Sequence, residues 1–195
     1  GHIFASEQMF GIQPDIITCA KGLTSGYVPL GAMLVSDRLF DALTETAGKG
    51  QFFANGYTYS AHPVACAAGM ANLDIMERED ICGRVRENGP YFRQRLGELI
   101  DLDLVGDVRG SHFMVCVECS ADKAKKTPTP AEWDIARRVF EKCVPKGLLV
   151  RPMGHLMVLS PPLVITRAQI DEAVDTLRKG IIEVTDDLTR EGLRS

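Results

Sequence analysis

The sequence predicts an α/β chain of two parts, in which a segment of buried sheet is followed by a smaller α+β domain. Residues 1–80 contain short apolar runs separated by glycine-rich loops, which is typical of strands covered on both faces. Residues 81–195 alternate strand-like runs with amphipathic helices, which is typical of helices that cover one face of a small sheet. We place the domain boundary at residues 78–80, where three consecutive charged residues separate two predicted helices.

The composition is that of an ordinary folded protein. The 195 residues include 22 Lys and Arg against 26 Asp and Glu, a net charge of −4, and 45% of them are hydrophobic. A mildly acidic chain lacks the positive field that a general nucleic-acid binder needs. No run of about 18 apolar residues is present, so we expect no membrane-spanning helix. Because residue 1 is a glycine and not a methionine, we expect the chain to begin inside a longer polypeptide.

The six cysteines lie in apolar or helical patterns, so we expect reduced thiols in a cytoplasmic protein and no disulfide framework. Cys116 and Cys119 have the spacing of a zinc knuckle, but they fall in a predicted strand. An offset of three in a strand directs two side chains to opposite faces of the sheet. No second cysteine pair follows at zinc spacing, and we predict two buried thiols and no metal site.

The first part contains two predicted strands, residues 14–20 and 30–35, joined by a loop with two glycines and a proline. A short helix is predicted over residues 36–43, and residues 47–50 break it. Pro63 suits the first position of a further helix. This helix is poor in bulky side chains, so neighbouring backbone segments can approach it closely; its small residues are Ala65, Ala67, Ala68, Gly69 and Ala71.

The second part begins with an amphipathic helix over residues 84–100. Its predicted strands are, in chain order, residues 102–109, 112–118, 147–151 and 156–160. Two helix starts carry the pattern of a capping box, in which a threonine hydroxyl and a glutamate or glutamine side chain satisfy free backbone amides. These are residues 129–132 and 166–169, and each precedes a helical apolar pattern.

Lys21 is the first candidate for chemistry because it ends an apolar strand and is followed by Gly22. A glycine there lets a planar group approach the backbone. An ammonium at the end of a buried strand is costly to desolvate, which lowers its pKa and leaves a nucleophilic amine. Such an amine suits a Schiff base with a carbonyl substrate or with pyridoxal phosphate. The alternative is a lysine that reaches solvent at a strand end.

Several segments, in order along the chain, resemble the class III pyridoxal-phosphate-dependent aminotransferases, closest to the amine and ω-amino-acid:pyruvate enzymes. Residues 15–32 resemble the cofactor-lysine segment, and residues 57–68 resemble the cofactor-phosphate loop with its following helix. Residues 108–114 resemble the first strand of the family's C-terminal domain. The closing segments, GLLVRPMG at residues 147–154 and SPPLVIT at residues 160–166, complete the series. The resemblance covers essentially the whole chain.

The resemblance implies a fold-type-I arrangement, with residues 1–80 in the large cofactor domain and residues 81–195 in the small C-terminal domain. It implies that Lys21 holds pyridoxal 5'-phosphate as a Schiff base and then moves a proton as general base and acid. Thr58, with the backbone of Tyr57 and Thr58, would bind the phosphate across a homodimer interface. Arg151 matches the arginine that grips a substrate carboxylate, for which a planar guanidinium fork is suited.

We therefore expect an amine or ω-amino acid:2-oxo acid aminotransferase, with pyruvate as the acceptor. The alternatives are an ornithine- or 4-aminobutyrate-type enzyme that uses 2-oxoglutarate, an aminomutase, or a non-catalytic α/β interaction module. One departure from the family pattern is marked. The family's aspartate opposite the pyridine nitrogen and its glycine-rich phosphate turn lie ahead of residue 1, so we expect a C-terminal half that is inactive alone.

Overall fold

The computed structural model describes residues 1–4, 6–45 and 54–194, and these form two compact units. The first unit is His2–Cys82, and the second is Gly83–Ser195 together with Gly1. This division falls two residues after the predicted domain boundary. The predicted helix break at residues 47–50 lies outside the described residues.

The first unit contains two paired strands and three helices in its described part. In chain order these are α1 (Ser6–Phe10), β1 (Ile16–Ala20), β2 (Gly31–Val35), α2 (Asp37–Thr44) and α3 (Pro63–Arg78). The strands are antiparallel, with Ile16 opposite Val35 and Ala20 opposite Gly31. The connection between them is too short for a crossover to a parallel strand, which needs a dozen or more residues.

The prediction that these strands are buried is wrong for this chain. Ile16 is 52% exposed and Met33 is 51% exposed, and no residue of β1 or β2 is fully buried. Two strands that pair only with each other have too little neighbouring structure to cover both faces. The apolar pattern therefore describes a sheet that needs more strands or helices than these elements supply.

The second unit carries the larger sheet. Its elements are α4 (Ile81–Gly97, which begins at the boundary), β3 (Val105–Ser111), β4 (Met114–Asp122), β5 (Thr127–Pro128), α5 (Ile135–Cys143), β6 (Arg151–Met153), β7 (Leu156–Leu159) and α6 (Arg167–Arg190). The strands follow the order β3-β4-β7-β6, all neighbours being antiparallel, and β5 pairs with β4. None of the described helices is long and apolar enough to cross a membrane.

One face of this sheet forms the core with the helices, as the α+β prediction required. Alternate residues of β4 and β7 are buried there, and the ring of Phe92 on α4 meets that of Phe113 edge to face at 5.6 Å. Helix α6 contributes an apolar stripe at helical spacing. The fully buried members of that stripe are Ile170, Val174, Leu177, Ile181, Val184 and Leu188.

An ion-pair cluster joins α4 to α6 at the edge of this core. The Arg95 guanidinium donates to Asp171 at 2.8 Å and to Asp175 at 2.9 Å, and it also pairs with Glu98. The hydroxyl of Tyr91 donates to the same Asp171 carboxylate at 2.6 Å. These bonds hold the pKa of Asp171 below its usual range, the Tyr91 hydrogen bond being the larger cause.

Of the two predicted capping boxes, one is confirmed and the other is wrong. At the start of α6, the Gln169 backbone amide donates to the Thr166 hydroxyl, and the Gln169 side chain accepts from the Thr166 amide. Residues Ala131–Trp133 instead form a 3-10 turn, and α5 begins only at Ile135. Thr129 directly follows β5, and its hydroxyl is buried without a hydrogen-bond partner among the described residues, so it caps no backbone amide.

Thr166→Ala is expected to destabilise the protein by about 1 kcal/mol, because it removes the N-cap acceptor of the longest helix. The measurement is the free energy of unfolding in urea. Thr189→Ala is the matched control: its hydroxyl only donates to a carbonyl within the last turns of the same helix, and its removal should cost about 0.5 kcal/mol or less. Equal losses in both variants would contradict the capping role.

Native-state alkylation at pH 8 should modify Cys66 before Cys119 and Cys143. Burial raises the pKa of the Cys119 thiol to about 12 and that of Cys143 to about 11, so little reactive thiolate is present at this pH. We expect both to react about 100-fold more slowly than the half-buried Cys66. Peptide mass spectrometry measures the rates, and urea should abolish the difference. Comparable native rates would contradict the burial of these thiols.

Candidate active site

Lys21 lies at the first position of a tight turn that begins where β1 ends. The turn is a 3-10 helix over Lys21–Thr24, closed by hydrogen bonds from the Ser25 amide to the Gly22 carbonyl and from the Gly26 amide to the Lys21 carbonyl, both 3.1 Å. Lys21 has φ of +52°, in the left-handed region that residues other than glycine rarely adopt. The backbone therefore reverses directly after the strand and presents Lys21 at the strand end.

The predicted burial of the Lys21 ammonium is wrong, since the side chain is exposed together with β1. It borders an open cavity of about 280 Å³ lined by Thr18, Cys19, Ala20 and Lys21. A Cβ placed on Gly22 would meet no atom within 4 Å, so the space beside the turn is free on that side as well. Within the described chain, the Lys21 amine has neither an ion pair nor a hydrogen bond.

Helix α3 supports the turn through its small-residue face. Ala65 and Gly69 are buried, and a Cβ on Gly69 would lie 3.1 Å from the Leu30 side chain and 3.8 Å from the Leu23 carbonyl oxygen. The close approach that the alanine-rich pattern predicted is thus present. One turn further along the same face, Asn72 reaches the backbone of the Lys21 turn.

Asn72 is a site residue that the sequence interpretation missed. Its side-chain amide donates to the Gly22 carbonyl at 3.0 Å and to the Leu23 carbonyl at 3.3 Å. The signal was a single polar residue in the 65–69–72 spacing of a helix face otherwise made of small residues. That spacing indicates contact with a neighbouring element, but it does not identify the partner.

Tyr57 and Thr58 lie in an exposed turn before α3, and neither lines the cavity beside Lys21. The Tyr57 amide donates to the Ser60 hydroxyl at 3.0 Å, and the Ser60 amide donates back to the Tyr57 carbonyl at 2.9 Å. The Tyr57 amide is therefore already used in this turn. The Thr58 hydroxyl has no partner among the described residues, which leaves it available to an anion.

Arg151 is the first residue of β6 in the second unit. In the strand register, Arg151 lies opposite Val158 of β7. Val158 lies opposite Cys116 of β4, and Cys116 lies opposite Arg109 of β3. Directly opposed residues share a face, so these four side chains form a row on the face away from the buried Met157 and Leu159. In this row Arg109 is paired with Asp107 and Glu118, whereas Arg151 has no ion pair among the described residues.

The residues present fit the attachment of an aldehyde cofactor that carries a phosphate. An amine without an ion pair, beside open space, is what covalent attachment needs, and the free Thr58 hydroxyl is a donor suited to a phosphate oxygen. No acidic residue lines the cavity at Lys21, so the described residues around it offer no carboxylate to a ring nitrogen. The described residues thus fit the aldehyde carbon and the phosphate of such a cofactor, but not its ring nitrogen.

Comparison with curated proteins identifies the family. Residues 1–181 match the family described as Aminotransferase class-III. An uncharacterized aminotransferase of Sinorhizobium fredii is 40% identical over 195 residues, covering 98% of this chain and 42% of that protein. The diaminobutyrate–2-oxoglutarate transaminase of Halomonas elongata is 39% identical over 94% of this chain and 40% of its own length. The chain thus spans about two fifths of these relatives.

Solved structures agree in fold. A PMP-bound aminotransferase from Vibrio fluvialis superposes with a TM-score of 0.87 and 34% identity, covering 92% of this chain and 40% of that one. An (S)-enantioselective ω-transaminase from Thermomicrobium roseum gives 0.81 and 39%, over 93% and 39% of the two chains. The predicted fold class is confirmed by these matches. The chain belongs to the class III aminotransferases, a family whose cofactor is pyridoxal 5'-phosphate.

Proposed function

We propose that the protein transfers an amino group from an amine or ω-amino acid to a 2-oxo acid such as pyruvate, with pyridoxal 5'-phosphate as cofactor and Lys21 as the catalytic residue. The observation that carries the proposal is the Lys21 amine, which has no partner in the described part of the chain and lies beside an open cavity at a strand end in a chain of the class III family. An amine held in an ion pair would have to be released before it could react.

Lys21 has two tasks in this proposal. Its Nζ would hold the cofactor at rest, and the same atom, once freed, would move a proton between the substrate carbon and the cofactor, as base and then as acid. Pyridoxal 5'-phosphate, when bound, supplies an aldehyde and an electron sink. The turn after β1 keeps the Lys21 backbone at the strand end, so the amine serves both tasks from the same point of attachment.

Thr58 binds the cofactor phosphate, and we propose that it does so in the partner subunit of a homodimer. Two observations support this assignment: the Thr58 hydroxyl has no hydrogen-bond partner among the residues that the structure describes, and its turn does not line the Lys21 cavity of the same chain. The Thr58 amide can add a second donor, whereas the Tyr57 amide would first have to leave the Ser60 hydroxyl.

Arg151 binds the carboxylate of the 2-oxo acid. Its guanidinium lies on the outward face of the sheet without an ion pair in the described chain, which argues against a purely structural arginine. A fork of two parallel N–H groups suits a carboxylate. The second candidate function uses 2-oxoglutarate in place of pyruvate, and the name of the Halomonas elongata relative favours it. Parallel assays with both acceptors distinguish the two.

Lys21→Ala in the protein as it is encoded should lower the turnover number by several orders of magnitude, because the same amine is lost as cofactor ligand and as base. Lys179→Ala is the matched control, since Lys179 is an exposed lysine of α6 without an ion pair among the described residues. Borohydride reduction followed by peptide mass spectrometry should locate the cofactor on Lys21. Turnover within tenfold of the wild type would refute the assignment.

Arg151→Ala should raise KM for the 2-oxo acid by about 10-fold to 100-fold, while the half-reaction with a carboxylate-free amine stays nearly unchanged. The bidentate contact is lost only where the substrate has a carboxylate. Arg137→Ala is the control, because Arg137 is paired with Glu141 on the surface of α5. Stopped-flow measurement of each half-reaction is the test, and equal damage to both would assign Arg151 a structural role.

A further inference from the structure

We propose that Asn72 is a positioning residue that fixes the direction of the Lys21 amine by tying the turn after Lys21 to helix α3. The inference rests on the proposed function of Lys21. Asn72 does not line the cavity, so it acts through the backbone of the turn and does not touch the reacting atoms.

The hydrogen bonds of Asn72 can run in only one direction, from its side-chain amide to backbone carbonyls. The carbonyls of Gly22 and Leu23 are acceptors, so only the amide nitrogen can make these contacts, at 3.0 and 3.3 Å; the same nitrogen also lies 3.7 Å from the Met76 sulfur, a further acceptor. A 3-10 turn leaves its last carbonyls without partners inside the helix. The Gly22 carbonyl also accepts from the Ser25 amide, so Asn72 supplies its second bond, and it supplies a side-chain partner for Leu23. Asn72 therefore caps the turn.

The turn needs such a restraint because its backbone is unfavourable. Lys21 and Ser25 both have φ of +52°, where an ordinary side chain crowds its own backbone. Conformations of this kind persist only where the surrounding structure fixes them. Thr24 supplies one restraint, its buried hydroxyl donating to the Val28 carbonyl at 2.5 Å, but that bond closes the loop on itself. Asn72 supplies the bonds to a separate element.

The connection between the two elements is short and stiff. Gly69 lets the α3 backbone approach Leu30 and Leu23, and Asn72 extends from the next turn of the same helix face. The absence of a side chain at residue 69 lets the turn lie against α3, and the amide at residue 72 bonds it there. A rotation of the turn about the β1 axis would break both contacts and move the Lys21 amine.

The test compares Asn72→Asp with the wild type in the protein as it is encoded. Aspartate has the same shape but presents an oxygen to two carbonyl oxygens, so the contact becomes repulsive. Asn72→Ala, which only removes the donor, is the second variant should the aspartate prevent folding. Asp74→Ala is the matched control, because Asp74 is an exposed residue of the same helix that makes no hydrogen bond to the turn among the described residues.

Two readouts decide the proposal. Amide hydrogen exchange at Ser25 and Gly26 should be about fivefold faster or more in the Asn72 variants and unchanged in Asp74→Ala. Borohydride capture of pyridoxal 5'-phosphate, measured by peptide mass spectrometry as the ratio of modified Lys21 to modified Lys179, should fall about tenfold or more with circular dichroism unchanged. A role of Asn72 in general stability would not move this ratio.

The possible failures are distinguishable. Lys21-selective capture in the wild type and in a folded Asn72→Asp variant alike would overturn the role of Asn72 and leave that of Lys21 intact. Unchanged exchange at Ser25 and Gly26 would also overturn it. The absence of selective capture in the wild type would refute the proposed function of Lys21, and the positioning role would fall with it.

Discussion

The contact between the Lys21 turn and the small-residue face of α3 is the constraint on which the candidate site depends. A lysine at a strand end can point in many directions, since its side chain has four rotatable bonds and the strand is exposed. The backbone before it is fixed by pairing with β2, and the backbone after it by the capping bonds of Asn72. Bulk on that face of α3 would separate the two elements, which explains why alanine and glycine are used there.

The second unit is stabilised in a different way. Its sheet has one buried face and one open face, and helix α6 contributes the longest apolar stripe to the core. Ion pairs such as that of Arg95 with Asp171 lie at the rim, where solvent screening limits each to a modest contribution. The open face contributes none of the described residues of this core, so polar side chains such as that of Arg151 can lie there at little cost in stability.

Features that depend on local sequence were predictable. The start of α3 at Pro63 and the capping box at Thr166 follow from short patterns with one physical solution each. The capping box at Thr129 failed because this hydroxyl is buried without a partner among the described residues and a 3-10 turn follows it in place of the predicted helix start. Asn72 and the Arg95 cluster were missed for a related reason: their partners are about 50 to 80 residues away in the chain.

The two arginines on the outward face of the larger sheet differ in their ion pairs. Arg109 stands at one end of the cross-strand row and Arg151 at the other, three strand spacings or about 14 Å apart. Carboxylates pair with the first of these cations, whereas the second, on the edge strand β6, has no ion pair among the described residues. A small anion that approaches this face therefore meets a cation without an ion pair in the described chain on β6, and a cation already paired with carboxylates on β3.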